Sequence, residues 1–257
     1  MFIPLHDANS LKHIKLQYVT VSLIAVNILV WLLVGVLFSS EAGDAAILGL
    51  GFIPAVVFDY AQLDPALQFI PDQMTVFSYA FMHLGFWHLA SNMLFLWVFG
   101  DNVEDAFGHL RFLLFYFACA AAGALFHGVV APSSQGPLIG ASGAVSGVVA
   151  AYLLLHPKVR VWILVFMRIP IPLPAFIPLA LWIGQQFFMF LFGMQDRVSW
   201  GAHVGGIIAG VVLVLVLRRP GVPLFDRTIV TPRAVQYKNQ GPQTAVSQTE
   251  RPFEGIR

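Results

Sequence analysis

Residues 112–157 read FLLFYFACAAAGALFHGVVAPSSQGPLIGASGAVSGVVAAYLLLHP, a run of 46 residues without Asp, Glu, Lys or Arg. A helix needs about 20 apolar residues to cross a hydrocarbon core about 30 Å thick, so this run is long enough for two spans. Its middle, residues 131–137, reads APSSQGP, and Pro and Gly at this density indicate a turn. The run therefore predicts two membrane helices joined by a short loop.

Four further uncharged runs flank this one, at residues 16–40, 73–100, 169–195 and 198–217, and each is long enough for one span. Only 11% of the 257 residues are charged and 58% are apolar. A soluble domain carries about 25% charged residues. The sequence thus predicts an all-α polytopic membrane protein with six transmembrane helices, at about 19–38, 84–102, 110–130, 141–157, 174–193 and 200–218.

The net charge and the cysteine count exclude two other classes of protein. A net charge of +1 without a basic stripe excludes a nucleic-acid binder, because nothing would neutralise the phosphates. Cys119 is the single cysteine, so a disulfide scaffold is excluded as well.

The distribution of basic residues predicts the orientation of the bundle. With the N-terminus in the cytoplasm, thirteen of the 14 Lys and Arg residues lie on the cytoplasmic side and only Arg197 lies outside. Both termini are therefore expected to be cytoplasmic. The apolar stretch from Tyr18 to Phe38 exceeds the roughly 7–15 residues of a signal peptide, so it is expected to remain as the first helix.

Four segments outside or at the edges of the spans carry their own predictions. Residues 1–18 are expected to be a cytoplasmic segment preceding the membrane domain at 19–218, and residues 219–257 a disordered cytoplasmic tail, rich in Pro, Gln, Thr and Arg. Residues 41–72 are expected to form a long external loop. Prolines at 170, 172, 174 and 178 predict an interfacial loop before the fifth helix.

Four polar residues within the spans are candidates for chemistry, because polar groups in a membrane are costly unless they have a partner or a function. His88 and Asn92 are four apart and share one face of the second helix. Ser142 begins the fourth helix and His203 lies just inside the sixth. In the predicted orientation all four lie near the outer ends of their helices.

The residues around Ser142 and His203 predict close contact between the fourth and sixth helices. Glycines four apart occur at Gly143/Gly147, Gly201/Gly205 and Gly206/Gly210, and such pairs allow helix backbones to approach. A serine at a helix N-terminus beside a histidine could perform acyl transfer, with His88 and Asn92 as further donors to an oxyanion. Since the fourth and sixth helices contain no Asp or Glu, a Ser-His dyad is the natural interpretation.

Three motifs in order resemble the rhomboid intramembrane serine proteases: HLGFWHLASNM at 83–93, GASG at 140–143 and AHVGG at 202–206, with Glu104 and Gly108 also matching. The resemblance covers about residues 19–217. It implies that Ser142 is the nucleophile and His203 the base, that His88, Asn92 and the Ser142 amide hold the oxyanion, and that no metal or cofactor takes part. The substrates it implies are transmembrane proteins in the lipid bilayer. One departure is that residues 39–72 contain no Trp, Arg or Lys, where family members often carry a Trp-Arg pair.

The remaining polar residues receive other predictions. His83 is expected to shape the start of the second helix; the alternative is a metal site with His88 and His203, since imidazole is a common zinc ligand. His127, Gln185 and Gln186 are expected to form interhelical hydrogen bonds. The alternative to a protease is a noncatalytic channel, transporter or membrane chaperone. A bacterial inner membrane is the expected location, since no organellar targeting segment precedes the first helix.

Overall fold

The computed structural model describes residues 2–165, 168–193 and 198–226. Within these ranges the chain forms nine α-helices: α1 Tyr18–Leu32, α2 Ser40–Leu50, α3 Pro54–Val57, α4 Thr75–Ser78, α5 Phe86–Phe107, α6 His109–Val130, α7 Ser142–Leu155, α8 Phe176–Phe192 and α9 Trp200–Leu217. The strands are β1 Ile3–Asp7, β2 Arg160–Val165 and β3 Ile169–Pro174. A π-helical turn, Leu33–Leu37, extends α1, and 3-10 turns occur at Pro65–Leu67, Asp72–Met74 and Tyr79–Phe81.

The six predicted membrane helices correspond in position to α1 and α5 through α9. In the described part of the chain, three helical stretches are long and apolar enough to cross a membrane: Tyr18–Leu37, His109–Val130 and Trp200–Leu217. Helices α7 and α8 are apolar but shorter. The fold is therefore mainly helical and suited to a membrane, while six spans and two cytoplasmic termini stay predictions.

The prediction of an all-α fold is wrong in one region, because β1, β2 and β3 form an antiparallel sheet in that order. The interfacial loop predicted before the fifth helix is strand β3, with the sequence IPIPLP. A proline has no N–H to donate, so it is tolerated on an edge strand. The prolines at 170, 172 and 174 occupy alternate positions of β3, which is an edge strand of the sheet. Prolines that prevent a helix from starting at residue 170 are therefore compatible with a strand here.

Helices α7 and α9 pack backbone against backbone through glycine. A Cβ added at Gly206 would collide with the carbonyl oxygen of Gly143, and one at Gly210 would collide with that of Gly147. Helix α6 joins the same contact, since a Cβ at Gly123 would lie 2.7 Å from the carbonyl oxygen of Ala202. Small residues thus fix the separation of the three helices.

Two adjacent carboxylates at the end of α5 hold the N-terminal segment. Glu104, fully buried, accepts from the amides of Val19 and Thr20 at 3.0 and 2.8 Å, and so caps the start of α1. Asp105 accepts from the three consecutive amides of residues 12–14 at 2.6 to 2.9 Å. The first helix is therefore fixed to α5 by charge-assisted hydrogen bonds.

The start of the C-terminal tail is ordered, so the prediction of disorder from residue 219 is wrong for residues 219–226. The amide of Arg219 donates to Ala106 O at 2.9 Å, and those of Phe225 and Asp226 donate to Leu154 O and Leu155 O at 2.7 and 2.9 Å. The last carbonyls of a helix lack partners within it, which gives this segment its acceptors. Residues 227–257, and Arg197 with its predicted external position, lie outside the described residues.

The segment at 41–72, predicted as a long external loop, contains most of helix α2, the short helix α3 and the 3-10 turn Pro65–Leu67. It also pairs with the loop that precedes α7. The amide of Phe52 donates to Leu138 O at 3.0 Å, and that of Leu138 donates to Phe52 O at 2.8 Å. Because Phe52 is fully buried, this pairing holds the two loops together from inside the fold.

The glycine contact predicts a difference between two alanine substitutions. Gly206→Ala should destabilise the protein by about 1–3 kcal/mol, since the added methyl forces α7 and α9 apart. Gly184→Ala on α8 is the control, because a Cβ there meets nothing within 4 Å. Thermal unfolding in detergent measures both, and equal stability of the two variants would contradict the packing argument.

The buried carboxyl of Asp7 predicts a pH-dependent stability. Burial raises the pKa of Asp7 from 3.8 to about 6, although its hydrogen bond from Tyr152 partly opposes this shift. The folded state therefore binds a proton that the unfolded state has lost, so this contribution to stability is fully present below pH 3.8 and falls as the pH rises to 6.

Asp7→Asn removes that titration. Above pH 6 the variant should be more stable than the wild type by about 2 to 3 kcal/mol, and the difference should vanish toward pH 4. Unfolding curves of both proteins between pH 4 and 8 measure the difference. A constant difference across that range would contradict the assignment.

Candidate active site

The loop before α7 is held by backbone hydrogen bonds on two sides. Beyond the Phe52–Leu138 pair, the amide of Gly140 donates to Tyr79 O at 3.0 Å. The amide of Ala141 donates to Nε2 of His83 at 3.4 Å, and the His83 side chain is buried. Ser142 follows as the first residue of α7, so this loop positions its main chain.

Gly140, two residues before Ser142, allows the His88 side chain to come close to the backbone. Its φ of +111° lies in the region that favours glycine. A Cβ at this position would lie only 2.6 Å from Nε2 of His88. The imidazole of His88 therefore packs against the backbone two residues before Ser142.

Asn92 lies one turn along α5 from His88. Its Nδ2 donates to the carbonyl oxygen of His88 at 2.9 Å, which fixes the amide in a buried position. An amide nitrogen carries two hydrogens, so one donor remains for a second acceptor. Neighbouring Ser91 also donates to His88 O, at 3.0 Å.

His203 on α9 is surrounded by two indoles and one amide. Its ring stacks on Trp182, with centroids 6.4 Å apart and planes at 25°, and it meets the ring of Trp200 edge-on at 5.7 Å. Its Nδ1 lies 2.8 Å from Oε1 of Gln186. Two of these three neighbours, Trp182 and Gln186, belong to α8.

All four candidate residues line one cavity of about 640 Å³: Ser142, His203, His88 and Asn92. Its described lining contains no Asp, Glu, Lys or Arg. Within the part of the chain that the structure describes, Ser142 Oγ and His203 form no direct hydrogen bond, while Nδ1 of His203 bonds Gln186. Catalytic hydrogen bonds are often long before substrate binds, so this arrangement is compatible with a resting dyad.

The other polar residues form local contacts. His127 Nδ1 lies 2.8 Å from Ser199 Oγ, which joins α6 to the start of α9, and Gln186 joins α8 to α9. Gln185, also predicted to bond between helices, is exposed and lines the cavity. Across residues 2–165, 168–193 and 198–226, no three His, Cys, Asp or Glu side chains are grouped as metal ligands would be.

The sequence interpretation missed several contacts of the site. His83 holds the Ala141 amide, and Trp182 and Trp200 enclose the His203 ring. A signal existed for Trp182, because it lies four residues before Gln186 and so shares its helix face. The aromatic side chains otherwise resembled ordinary lipid-facing or core residues.

Comparisons with known proteins identify the family of the chain. The Rhomboid domain profile matches residues 71–220, more than half of the chain. Rhomboid protein 1, mitochondrial, of Saccharomyces cerevisiae is 31% identical over 180 residues, which are 66% of this chain and 49% of that protein. RHOMBOID-like protein 12, mitochondrial, of Arabidopsis thaliana is 30% identical over 51% of this chain and 43% of its own length.

A bacterial relative shows the same similarity. Rhomboid protease GluP of Bacillus subtilis is 31% identical over 150 residues, 58% of this chain and 27% of that protein. These alignments span about half or less of each of the three relatives. The profile match over residues 71–220 confirms the resemblance drawn from the three motifs, and the chain is a multi-pass membrane protein that belongs to the rhomboid family.

Proposed function

We propose that the protein is an intramembrane serine endopeptidase that hydrolyses peptide bonds in or near transmembrane segments. The observation that carries this proposal is the shared cavity: Ser142 at the N-terminus of α7 and His203 on α9 face it from two helices in glycine contact. The cavity lining contains two other donors, His88 and Asn92. A nucleophile, a base and donors to an oxyanion are the groups that acyl transfer requires.

In the proposed reaction Ser142 Oγ attacks the carbonyl carbon of the substrate while Nε2 of His203 takes its proton. The tetrahedral intermediate collapses as His203 returns that proton to the leaving amine, which leaves an ester on Ser142. Water, activated by His203 in the same way, hydrolyses the ester and restores the serine. The chemistry uses no metal and no cofactor.

The oxyanion of each intermediate requires donors that are already in place. Ser142 begins α7, and the first intrahelical bond runs from Val145 to Ala141, so the Ser142 amide has no partner within the helix. The second amide hydrogen of Asn92 and the His88 ring are the proposed further donors. The helix N-terminus adds a favourable partial positive charge.

The proposed substrates are transmembrane proteins that reach the cavity from the lipid bilayer. The outer faces of the helices expose large apolar side chains, including Leu181 on α8 and Val216 on α9, as a lipid-facing surface requires. A bacterial cell membrane stays a prediction from the sequence. The relatives include both mitochondrial and bacterial proteins, so they do not distinguish between those two membranes.

Fluorophosphonate labelling tests the nucleophile. The purified protein should incorporate the label, and both Ser142→Ala and His203→Ala should abolish labelling and cleavage of a transmembrane substrate, because each removes one member of the dyad. Ser199 is the rival nucleophile, since it lies in the cavity 2.8 Å from His127.

Ser199→Asn is the matched control, because asparagine keeps the helix cap but lacks the hydroxyl. It should retain both labelling and cleavage. Labelling that survives Ser142→Ala but is lost in Ser199→Asn would reject Ser142 as the nucleophile. A folded wild type that neither labels nor cleaves would favour a noncatalytic chaperone, channel or transporter.

The oxyanion proposal predicts a second pair of variants. Asn92→Leu should lower kcat by roughly 100-fold with little change in KM, because the donor acts mainly in the transition state. Ser91→Ala is its control, since Ser91 also lines the cavity but donates its single hydroxyl hydrogen to the carbonyl of His88 and so has none left for an oxyanion. Steady-state cleavage measures both, and equal losses would contradict the assignment of Asn92.

A further inference from the structure

The geometry points to Gln186 as the positioning residue of the proposed base: its side-chain oxygen accepts the Nδ1 hydrogen of His203 and so keeps Nε2 free to take the proton of Ser142. This inference rests on the proposed function and extends it, since the sequence predicts a dyad without an orienting group. Gln186 lies on α8, opposite α9, and only 3% of it is exposed.

The direction of the Gln186 amide is set by its second hydrogen bond. Its Nε2 donates to the carbonyl oxygen of Trp182 at 3.0 Å, one helical turn earlier. The reversed amide would place two oxygens against each other at that contact, because a carbonyl cannot donate. Oε1 is therefore the atom that faces Nδ1 of His203, at 2.8 Å.

The direction of the amide in turn sets the tautomer of the imidazole. An amide oxygen only accepts, so Nδ1 of His203 must carry a hydrogen. In the neutral ring the other nitrogen, Nε2, then has a free lone pair. A general base for Ser142 requires that lone pair, and the opposite tautomer would present a hydrogen to the serine hydroxyl.

The ring around this hydrogen bond is held in place by aromatic contacts. Trp182 stacks on one face of His203 and Trp200 meets it edge-on, so rotation of the imidazole is opposed by packing. Trp182 also supplies the carbonyl that orients the Gln186 amide. One turn of α8 thus provides a stacking surface and an acceptor for the same histidine.

Gln186 performs the role that an aspartate has in a Ser-His-Asp triad, but without a charge. The triad carboxylate fixes the tautomer and stabilises the imidazolium that forms in the reaction. A neutral amide oxygen can do the first and contributes only a dipole to the second. A neutral acceptor in place of a carboxylate suits this cavity, because its described lining residues include no Asp, Glu, Lys or Arg.

The test compares Gln186→Leu with Gln185→Leu. Gln185 is the neighbouring residue, it also lines the cavity and it is exposed, but His203 bonds Gln186. Gln186→Leu should lower kcat by roughly 10- to 100-fold, with KM within about 2-fold of the wild type. The rate of fluorophosphonate labelling should fall by the same factor, whereas Gln185→Leu should leave both rates near the wild-type value.

Rescue by a conservative variant separates positioning from packing. Gln186→Glu restores an acceptor for the Nδ1 hydrogen and should recover most of the rate that Gln186→Leu loses. If Gln186→Leu keeps a rate within about 3-fold of the wild type, or if Gln186→Glu is as impaired as Gln186→Leu in folded protein, the inference is overturned.

A spectroscopic measurement tests the same hydrogen bond without relying on activity. In protein labelled with ¹⁵N-histidine, the ring nitrogens of His203 should report a hydrogen on Nδ1 in the wild type and in Gln185→Leu, and on Nε2 in Gln186→Leu. A wild type with the hydrogen on Nε2 would overturn the inference whether or not the protein is a protease. A wild type with the expected tautomer but no labelling would instead reject the proposed function alone.

Discussion

The contact between α7 and α9 is the constraint on which the rest of the structure depends. In a bilayer the hydrophobic effect does not drive helices together, so close packing of small residues must do so. Gly206 and Gly210 on α9 press directly on carbonyl groups of α7. A cavity lined by Ser142 and His203 exists because the backbones that carry them meet without intervening side chains.

Two groups of polar side chains differ in chemistry: the carboxylates at the end of α5 and the side chains that line the cavity. At the end of α5, Glu104 and Asp105 receive backbone hydrogen bonds from the N-terminal segment, so their charges are solvated by the protein. The polar side chains that line the cavity are hydroxyls, amides and imidazoles, with no Asp, Glu, Lys or Arg among the described lining residues. The carboxylates fix the N-terminal segment to α5, and the side chains of the cavity are those that the proposed chemistry uses.

The positions of the main helices could be predicted because lipid imposes a simple rule on sequence: long uncharged runs become helices. The strands could not, since β1 is five residues long and β3 has three prolines, and both depend on pairing with β2. The spacing of His88 and Asn92 predicts their shared helix face, and the Pro/Gly loop predicts Ser142 at the start of its helix; the structure places all three beside one cavity. The bond between Gln186 and His203 depends on the rotation of α8 relative to α9, which no local pattern encodes.

Ser142 and His203 are positioned by different physical means, and this difference decides which substitutions each tolerates. The main chain at Ser142 is fixed by a loop whose amides bond Phe52, Tyr79 and His83, so many contacts share the task. The imidazole of His203 is held by side chains, two of them on a single turn of α8. Any displacement of α8 would therefore alter the proposed base before it altered the nucleophile. Helix α8 therefore lines one side of the cavity and also holds the His203 ring in its orientation.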